Sequence, residues 1–472
     1  MNKIVKIIFV FAICSFESGF LDAQTITWQK VYPTAHSDYG RDGIQTLEGG
    51  YIIIAVNQSL EGTAKLLKLD SLGNQEWERL VDTQGTIVSI KQTADSNFVI
   101  AGDGNNKGLL IKTDKLGNIL WKKYYSINNE LAGFHRIKIT KNGDYIMCGV
   151  ISFPARAYIV RTDSSGAIVW QSSYSNGNFD AIAEDLTETD AGLLYFTGFS
   201  EVNYHSKTLI GKLSNKGILI WIKSYGNEDA GDGQTGIQIN YENESSLFVC
   251  GSNQVFFSYQ GYFNNIDSSG NILFQKDFNT ADGFVSMAKC YNGFALCGSN
   301  GNINEINLVK VDIKGNQISN LYYSFNTLDE ITYGYSISLT RDNGFFMTGL
   351  TTYQGSDFYL NVIAIKTDSI GEVVVYVKNQ IISLPYEFCL FQNIPNPFNS
   401  QTKIIFDVKK SSFVNISIFD ISGKKIVDLV NKNIKDGRYD IMLNLNYLPS
   451  GIYFCKMGNN ENFKAIKLIL IK

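Results

Sequence analysis

Five acidic residues are the groups in this 472-residue sequence that are best suited to acid–base chemistry. A pair of carboxyl groups can hydrolyse a glycosidic bond when one donates a proton and the other acts as a base or nucleophile. The candidates form two short clusters: Asp180, Glu184, Asp185, Asp329 and Glu330. They define one hypothesis, an enzymatic site.

A second set of residues favours binding over catalysis. Tyr, Phe and Arg are common anchors of interfaces, and all three histidines of the chain fall in or beside long connecting segments. The candidate ligand-binding residues are His36, Arg41, His135, Arg156, Tyr204, His205, Phe256, Phe257 and Tyr353.

Several common catalytic and cofactor motifs are absent from the sequence. It has no Gly-x-Ser-x-Gly elbow, no His-Glu-x-x-His motif and no phosphate-binding loop. No paired Cys-x-x-Cys spacing suggests zinc. The sequence therefore predicts neither a metal nor a cofactor, and no catalytic residue can be assigned from motifs.

The candidate catalytic and binding residues lie in a part of the chain that is organised by a sequence repeat. The stretch 112–121 (KTDKLGNILW) is one of seven related copies, which follow one another at intervals of 44 to 56 residues. The anchor positions of the copies are Asp70, Asp114, Asp163, Ser214, Asp267, Asp312 and Asp368. Such a period is typical of a repeat architecture.

Each repeat predicts four short antiparallel strands. Two strands flank a Gly-containing turn, a third leads into the anchor, and Asp-x-x-Gly makes a tight turn into a fourth strand. Four strands in about 45–50 residues form one propeller blade, so the fold class is all-β, with a seven-bladed β-propeller.

The five tryptophans mark the fourth strands. Trp77, Trp121, Trp170 and Trp221 each lie seven residues after an anchor, and we expect all five rings to be buried between blades. Trp28 lies in an additional fourth strand, 26–32, which we predict to close the ring by pairing near 366–368. Alternatively, 372–377 fills that place, or part of an eighth blade forms.

The connections divide the propeller into two faces. Turns between first and second strands, and between third and fourth strands, are short and share one face. The links between blades and the loops between second and third strands are longer, more varied, and share the other face, here called the loop face. Binding residues often sit on loops held by a rigid scaffold, so the loop face is the expected binding surface.

Two classes of function follow from this arrangement. The favoured one is a secreted or surface-attached propeller that binds a protein or glycan partner through the loop face. The alternative is a secreted hydrolase or lyase with acidic residues at the channel mouth. The net charge of −4 comes from a mixed balance of charges, which gives no basic footprint for nucleic acid.

The chain boundaries indicate export. Residues 1–23 resemble a secretory signal peptide, with a charged start and a short apolar core that is too short to span a membrane. The propeller is expected over 24–380, followed by a linker at 381–387 and a small β-sandwich at 388–472. No other stretch predicts an integral membrane protein.

The last segment carries specific motifs. They consist of Gln392, Asn393, Pro395, Asn396, Pro397, Phe398, Asn399, Gly423, Pro449, Ser450, Gly451 and Tyr453, together with a basic and apolar end. The segment resembles the type A C-terminal sorting domain of the type IX secretion system. That resemblance implies passage through the periplasm, recognition by the outer-membrane translocon, and release or attachment at the cell surface. The propeller resembles tryptophan-docking, quinoprotein-like propellers only generically.

The cysteines are expected to be structural. Cys148, Cys250 and Cys297 share one repeat position, which is held by Ala or Thr in other copies, so that position requires a small, buried side chain. A Cys389–Cys455 disulfide is an open alternative in the last segment.

A truncation tests the predicted route of export. In a host with an active type IX system, we expect the full chain at the surface or in the medium. A version ending at Tyr386 should stay in the periplasm, because it lacks the sorting motifs. Fractionation followed by immunoblotting measures both, and equal export of the two would contradict the hypothesis.

Overall fold

The chain divides into two compact units, Met1–Val375 and Tyr376–Lys472. The structure is a computed structural model. It describes residues 26–33, 37–57, 63–152, 154–177, 180–202, 205–226, 233–243, 245–255, 258–279, 281–300, 305–325, 331–354, 358–373, 389–393, 396–399, 401–408, 410–435, 437–445, 448–458 and 463–471.

The first unit is a β-propeller of seven four-stranded antiparallel sheets, as the repeat predicts. The chain begins with β1 (Trp28–Tyr32), and blades 1 to 3 follow as β2 (Asp38–Gln45), β3 (Tyr51–Asn57), β4 (Thr63–Leu69), β5 (Gln75–Asp82), β6 (Ile87–Gln92), β7 (Phe98–Gly104), β8 (Lys107–Thr113), β9 (Ile119–Tyr125), β10 (Ala132–Ile139), β11 (Tyr145–Ile151), β12 (Arg156–Thr162) and β13 (Ile168–Tyr174). Blades 4 to 7 contain β14 (Ala181–Glu188), β15 (Leu194–Val202), β16 (His205–Leu213), β17 (Leu219–Tyr225), β18 (Gly233–Asn243), β19 (Ser246–Val255), β20 (Ser258–Ile266), β21 (Ile272–Phe278), β22 (Phe284–Cys290), β23 (Gly293–Asn300), β24 (Glu305–Val311), β25 (Gln317–Tyr323), β26 (Thr332–Leu339), β27 (Phe345–Gln354) and β28 (Phe358–Lys366).

The ring closes through its two ends. Strand β1 pairs antiparallel with β28, with Trp28 opposite Lys366, so the first strand of the chain completes blade 7. This confirms the predicted closure. The closure joins residues more than three hundred positions apart and pairs the outer edge of β28, which would otherwise be an exposed strand edge within the last blade.

The repeated Asp makes the turn between the third and fourth strands. In the first copy, Asp70 Oδ1 accepts hydrogen bonds from the backbone N–H groups of Leu72 and Asn74, each at 2.8 Å. Gly73 has φ +73°, a left-handed conformation that glycine adopts without the steric cost of a side chain. The turn therefore presents a bare glycine to the neighbouring blade.

An aromatic ring from the preceding blade lies against that glycine. A Cβ atom added to Gly117 would come within 2.9 Å of the Trp77 ring, which is closer than real carbon contacts allow. The same contact recurs in six of the seven interfaces: Trp28 with Gly73, Trp77 with Gly117, Trp121 with Gly166, Trp170 with Gly217, Trp221 with Gly270, and Phe274 with Gly315. In the interface between blades 6 and 7, Leu321 contacts Gly371 instead.

A tyrosine four residues after the aromatic position adds a hydrogen bond to the same glycine. Each hydroxyl donates to the glycine carbonyl at 2.5 to 2.8 Å. The pairs are Tyr32 with Gly73, Tyr125 with Gly166, Tyr174 with Gly217, Tyr225 with Gly270, and Tyr323 with Gly371. Ring contact and hydrogen bond together fix the spacing of neighbouring blades.

The expectation that all five tryptophans are buried is wrong for four of them. Trp28 is 7% exposed, whereas the other four are half-buried. They lie on outer edge strands, where each ring contacts the glycine and packs against an apolar cluster but keeps part of its surface exposed. A cation lies over three of these rings: Arg79 over Trp77, Lys123 over Trp121, and Lys223 over Trp221, at 5.4 to 5.9 Å.

The second unit is a small sandwich of two sheets. Its strands are β29 (Cys389–Leu390), β30 (Gln401–Val408), β31 (Ser412–Phe419), β32 (Lys425–Ile434), β33 (Gly437–Asn444), β34 (Gly451–Gly458) and β35 (Phe463–Leu470). One sheet has the order β29-β30-β33 and the other β32-β31-β34-β35. Both contribute to a single apolar core that includes Phe406, Ile416 and Leu468.

The cysteines are thiols in the structure. Cys148, Cys250 and Cys297 are buried, as their shared repeat position predicts, and Cys389 and Cys455 are free. The open alternative of a disulfide between these last two is therefore not realised.

A matched pair of glycines tests the docking contact. Gly117 and Gly143 have φ +81° and +83°, but a Cβ on Gly143 meets nothing within 4 Å. Gly143→Ala should cost roughly 1–2 kcal/mol, the cost of a left-handed conformation. Gly117→Ala should cost about 1–3 kcal/mol more, because its methyl group collides with Trp77. Urea unfolding measures both, and equal losses would exclude a steric role for Gly117.

Candidate functional site

The seven first strands surround the axis of the propeller, where first strands of neighbouring blades contact each other. Each contains a β-bulge at the same place, near the end that faces the loops. A bulge leaves one residue without a partner on the neighbouring strand and changes the direction of its side chain. The seven bulged residues, here called the mouth ring, are Arg41, Val88, His135, Glu184, Ile237, Val285 and Tyr335.

The residue after each bulge ties its blade to the next. In most blades a side-chain oxygen accepts a hydrogen bond from a backbone N–H of the following blade, as in Asp42 Oδ2 with Ile90 at 3.0 Å. The other bonds of this kind join Ser89 to Ile137, Asp185 to Ile239, Gln238 to Met287, and Ser286 to Ile337. We call these residues, with Arg136 and Ser336, the belt.

Two further contacts complete the belt. Arg136 Nε lies 3.7 Å from Asp185 Oδ1 across the interface of blades 3 and 4. Ser336 Oγ donates to Asp42 Oδ1 at 2.7 Å across the interface of blades 7 and 1. All seven interfaces are thus crossed, so the buried polar groups of the belt serve the ring itself.

The charges of the belt are compensated. Asp42 is buried, which by itself raises its pKa. Nearby Lys91 and Arg136 and hydrogen bonds from Ile90 and Ser336 outweigh burial and hold the pKa of Asp42 below its usual value. Asp42 is therefore an ionised structural group rather than a proton donor.

The mouth ring, in contrast, keeps polar and aromatic groups partly exposed. The guanidinium of Arg41 lies 5.6 Å from the centre of the Tyr335 ring, and Tyr39 packs against Tyr335 at 5.3 Å. His135 Nδ1 lies 3.1 Å from Glu184 Oε1. Among the described residues, Arg41 forms no ion pair. The mouth therefore combines two aromatic rings packed at a tilt of 44°, a guanidinium over one of them and a histidine–carboxylate pair.

The candidate binding residues from the sequence separate in the structure. Arg41 and His135 come together in the mouth ring. Arg156 begins β12 and pairs with Glu130, and His205 begins β16 opposite Val202. His36, Tyr204, Phe256 and Phe257 lie outside the described residues, as does the side chain of Tyr353.

Sequence reasoning missed Tyr39 and Tyr335 and the pairing of Glu184 with His135. A signal for the mouth ring does exist. Five of its members lie 14 residues before the glycine that follows the small residue of the second strand, as Val88 lies before Gly102. An alignment of the repeat copies on that glycine places these five residues at one common position.

The acidic residues proposed for hydrolysis have other partners. Asp180 accepts from the Ala155 N–H at 3.1 Å, and Asp185 is buried in the belt. Burial alone raises the pKa of Glu184, but His135, Arg136 and Arg41 hold that pKa below its usual value. A general acid needs a raised pKa, so Glu184 is poorly suited to that role. Asp329 and Glu330 lie outside the described residues.

Metal-binding groups were sought in the same part of the chain. Within the described ranges, no group of three or more His, Cys, Asp or Glu side chains is arranged to hold a metal ion.

The motif residues of the second unit fasten its last strand. Gln392 Nε2 and Asn396 Nδ2 donate to the Lys467 carbonyl at 2.7 and 3.0 Å. Asn396 Oδ1 accepts from the Ile469 N–H at 2.8 Å, and the Phe398 N–H donates to the Ile469 carbonyl. Gln392, Asn396 and Phe398 thereby cover the open edge of β35.

Residues 393–472 match the sequence profile of the secretion system C-terminal sorting domain. The second unit is a sorting domain of the type IX secretion system. The protein is therefore exported, and it is either secreted or held on the outer cell surface. The match covers the second unit alone and says nothing of what the propeller does.

Similar solved structures are distant. PorZ, a surface component of the type IX secretion system of Porphyromonas gingivalis, is 9% identical with a TM-score of 0.29, over 93% of this chain and 83% of PorZ. The polysaccharide lyase Uly1 is 9% identical with a TM-score of 0.47, over 74% of this chain and 94% of the lyase. A subtype N11 neuraminidase-like protein is 9% identical with a TM-score of 0.41, over 74% and 96%. These likenesses carry no argument about function.

No curated protein sequence matches the chain with significance. In the described part of the chain, no helix has the length and apolar character needed to cross a membrane.

Asp42→Asn tests the belt. Removing a buried charge that has cationic partners should cost about 3–5 kcal/mol at pH 7. Because the pKa of Asp42 is lowered in the folded state, its stabilisation is present above the unfolded pKa of about 4 and is lost as the pH falls further. The difference between wild type and variant should therefore shrink below about pH 4.

Urea unfolding at pH 7 and at pH 3 measures this difference. Asp190→Asn is the control, since Asp190 and its partner Lys141 are both exposed, and it should have little effect. Equal effects of the two substitutions at pH 7 would exclude a structural role for the belt charge.

Proposed function

We propose that the propeller is a binding module, delivered to the cell surface or the medium, which takes an extracellular protein or glycan partner at the mouth of its channel on the loop face. Residues 1–23 would serve as the secretory signal that brings the chain to the periplasm. Residues 24–380 would form the cargo, joined by 381–387 to the sorting domain at 388–472.

The chemistry of the mouth ring carries this proposal. Tyr335 and Tyr39 offer aromatic surface, and Arg41 offers guanidinium donors that form no ion pair with any described carboxylate. Aromatic rings supply contact area at a low entropic cost, and a few convergent polar groups fix the orientation of a ligand. A glycan ring or an interface side chain suits such a surface.

The division of labour between belt and mouth ring supports the same view. Belt side chains are bonded to neighbouring blades, so they are not free to bind a ligand without weakening the ring. Members of the mouth ring lie one residue earlier. In the described part of the chain, their side chains meet across blade interfaces through the pair of His135 and Glu184 and the contact of Arg41 with Tyr335. Variation at the mouth ring therefore changes binding with little effect on the fold.

The remaining loop-face candidates would extend the contact surface outward from the mouth. His36 precedes the strand that carries Arg41, and Arg156 and His205 begin third strands in blades 3 and 4. In the sequence, Tyr204, Phe256 and Phe257 fall between second and third strands, and Tyr353 is the penultimate residue of β27, a second strand. Their aromatic content suits the rim of an interface for a partner larger than the channel.

A binding screen tests the proposal with the purified full chain. Glycan arrays and capture of surface proteins identify the partner, and calorimetry then compares Arg41→Ala with wild type. Loss of a central Arg anchor should weaken binding about tenfold or more, which corresponds to roughly 1.4 kcal/mol.

Lys115→Ala is the matched control, because Lys115 is an exposed cation in a turn of the opposite face. It should leave the affinity unchanged, and thermal melts of both variants should match wild type. Binding that is lost equally in the two variants would place the site elsewhere.

A further inference from the structure

The two parts of the chain carry opposite charge. Residues 388–472 contain twelve Lys and Arg against six Asp and Glu, a net charge of +6. The whole chain has a net charge of −4, so the preceding 387 residues carry a net charge of −10. Because the propeller is acidic, the basic character belongs specifically to the sorting domain.

The larger sheet of the sorting domain buries only one of its faces. Side chains alternate along each strand, and Tyr453, Cys455 and Met457 of β34 point into the core with Leu468 and Leu470 of β35. The side chains between them point away from the core. The opposite face of this sheet therefore has no apolar layer from the described part of its own unit.

That opposite face is apolar and basic. Register places Phe419 beside Phe454, Phe454 beside Lys467, and Ile452 beside Ile469. We call this surface the tail face, and it consists of Phe419, Ile452, Phe454, Lys456, Lys467 and Ile469. Lys456 Nζ lies 4.6 Å from the centre of the Phe419 ring. Ile452 is 44% exposed, and Lys467 is exposed as well.

Asp428, which bonds to Ser417 two positions before Phe419, is already paired. Asp428 accepts from Ser417 Oγ and lies 2.9 Å from Lys425 Nζ. Lys456 and Lys467 form no ion pair among the described residues, so the tail face presents two uncompensated cations around a cluster of apolar side chains.

The sorting motif sets the geometry of this face. Gln392 and Asn396 hold the backbone at Lys467, and Asn396 also holds Ile469. These bonds fix the edge strand whose side chains Lys467 and Ile469 form one border of the tail face. The motif residues thus act as supports, while the surface they support stays open.

We infer that the tail face is the docking surface of the sorting domain, and that its partner is an acidic, partly apolar protein surface of the secretion machinery. Charge complementarity with the lysines orients the encounter, and desolvated Phe and Ile side chains supply the contact area. The inference rests on the sorting role of this unit and is independent of the proposed function of the propeller.

Paired charge reversals of the full chain test the inference in a host with an active type IX system. Lys456→Glu with Lys467→Glu alters the tail face. Lys424→Glu with Lys432→Glu is the matched control, since both are exposed and Lys432 lies opposite core-facing Val414. Both double variants change the net charge by the same amount.

We expect the tail-face double variant to reach the surface and medium at least tenfold less than wild type and to accumulate in the periplasm. The control double variant, and Lys456→Arg with Lys467→Arg, should be exported like wild type. Melting midpoints of the purified chains separate a docking defect from misfolding, and Lys456→Gln with Lys467→Gln supplies a milder change that should give intermediate export.

Three results would overturn the inference. Normal export of the tail-face double variant would mean that the face does not dock. An equal loss in both double variants would mean that net charge, rather than this face, is recognised. Normal export combined with loss of binding to phosphatidylglycerol vesicles would assign the face to a lipid surface instead of a protein.

Discussion

The contact between an aromatic ring and a bare glycine in the next blade is the constraint on which the propeller depends. The glycine sits in a left-handed turn shaped by the anchor Asp, and the ring lies where a Cβ would be. A methyl group on the glycine would push the blades apart, and a smaller side chain in place of the ring would leave a gap; where the ring is absent, Leu321 fills the space over Gly371. Blade spacing is therefore set at the periphery, by side chains that are only half-buried.

The belt holds neighbouring blades together near the axis of the propeller. It crosses five interfaces by a hydrogen bond from a backbone N–H to a side chain, one by the ion pair of Arg136 and Asp185, and one by the bond from Ser336 to Asp42. Each blade is therefore held at both an inner and an outer radius. Because the bulges place the belt and the mouth ring on adjacent residues, one position serves closure and its neighbour faces the channel. Because belt and mouth-ring residues are adjacent but separate, the side chains at the mouth can differ between blades while the scaffold stays rigid.

In the sorting domain, a few motif residues hold the edge of the last strand. Gln392, Asn396 and Phe398 form hydrogen bonds to the open edge of the last strand and so cover it. The motif residues thus act through the fold of the domain, because the strand that they hold, β35, lies some seventy positions after them.

The sequence by itself determined the repeat, the four-stranded blade, the closure through Trp28 and the sorting domain, because turn chemistry and strand alternation act over a few residues and recur. It did not determine that Arg41 meets Tyr335, or that Glu184 meets His135, because a bulge shifts each side chain by one position and only ring closure joins blades 1 and 7. It also overestimated tryptophan burial, since hydrophobic composition does not reveal that these rings lie on outer edge strands. Local interactions fixed the parts, and the tertiary structure decided which side chains share a surface.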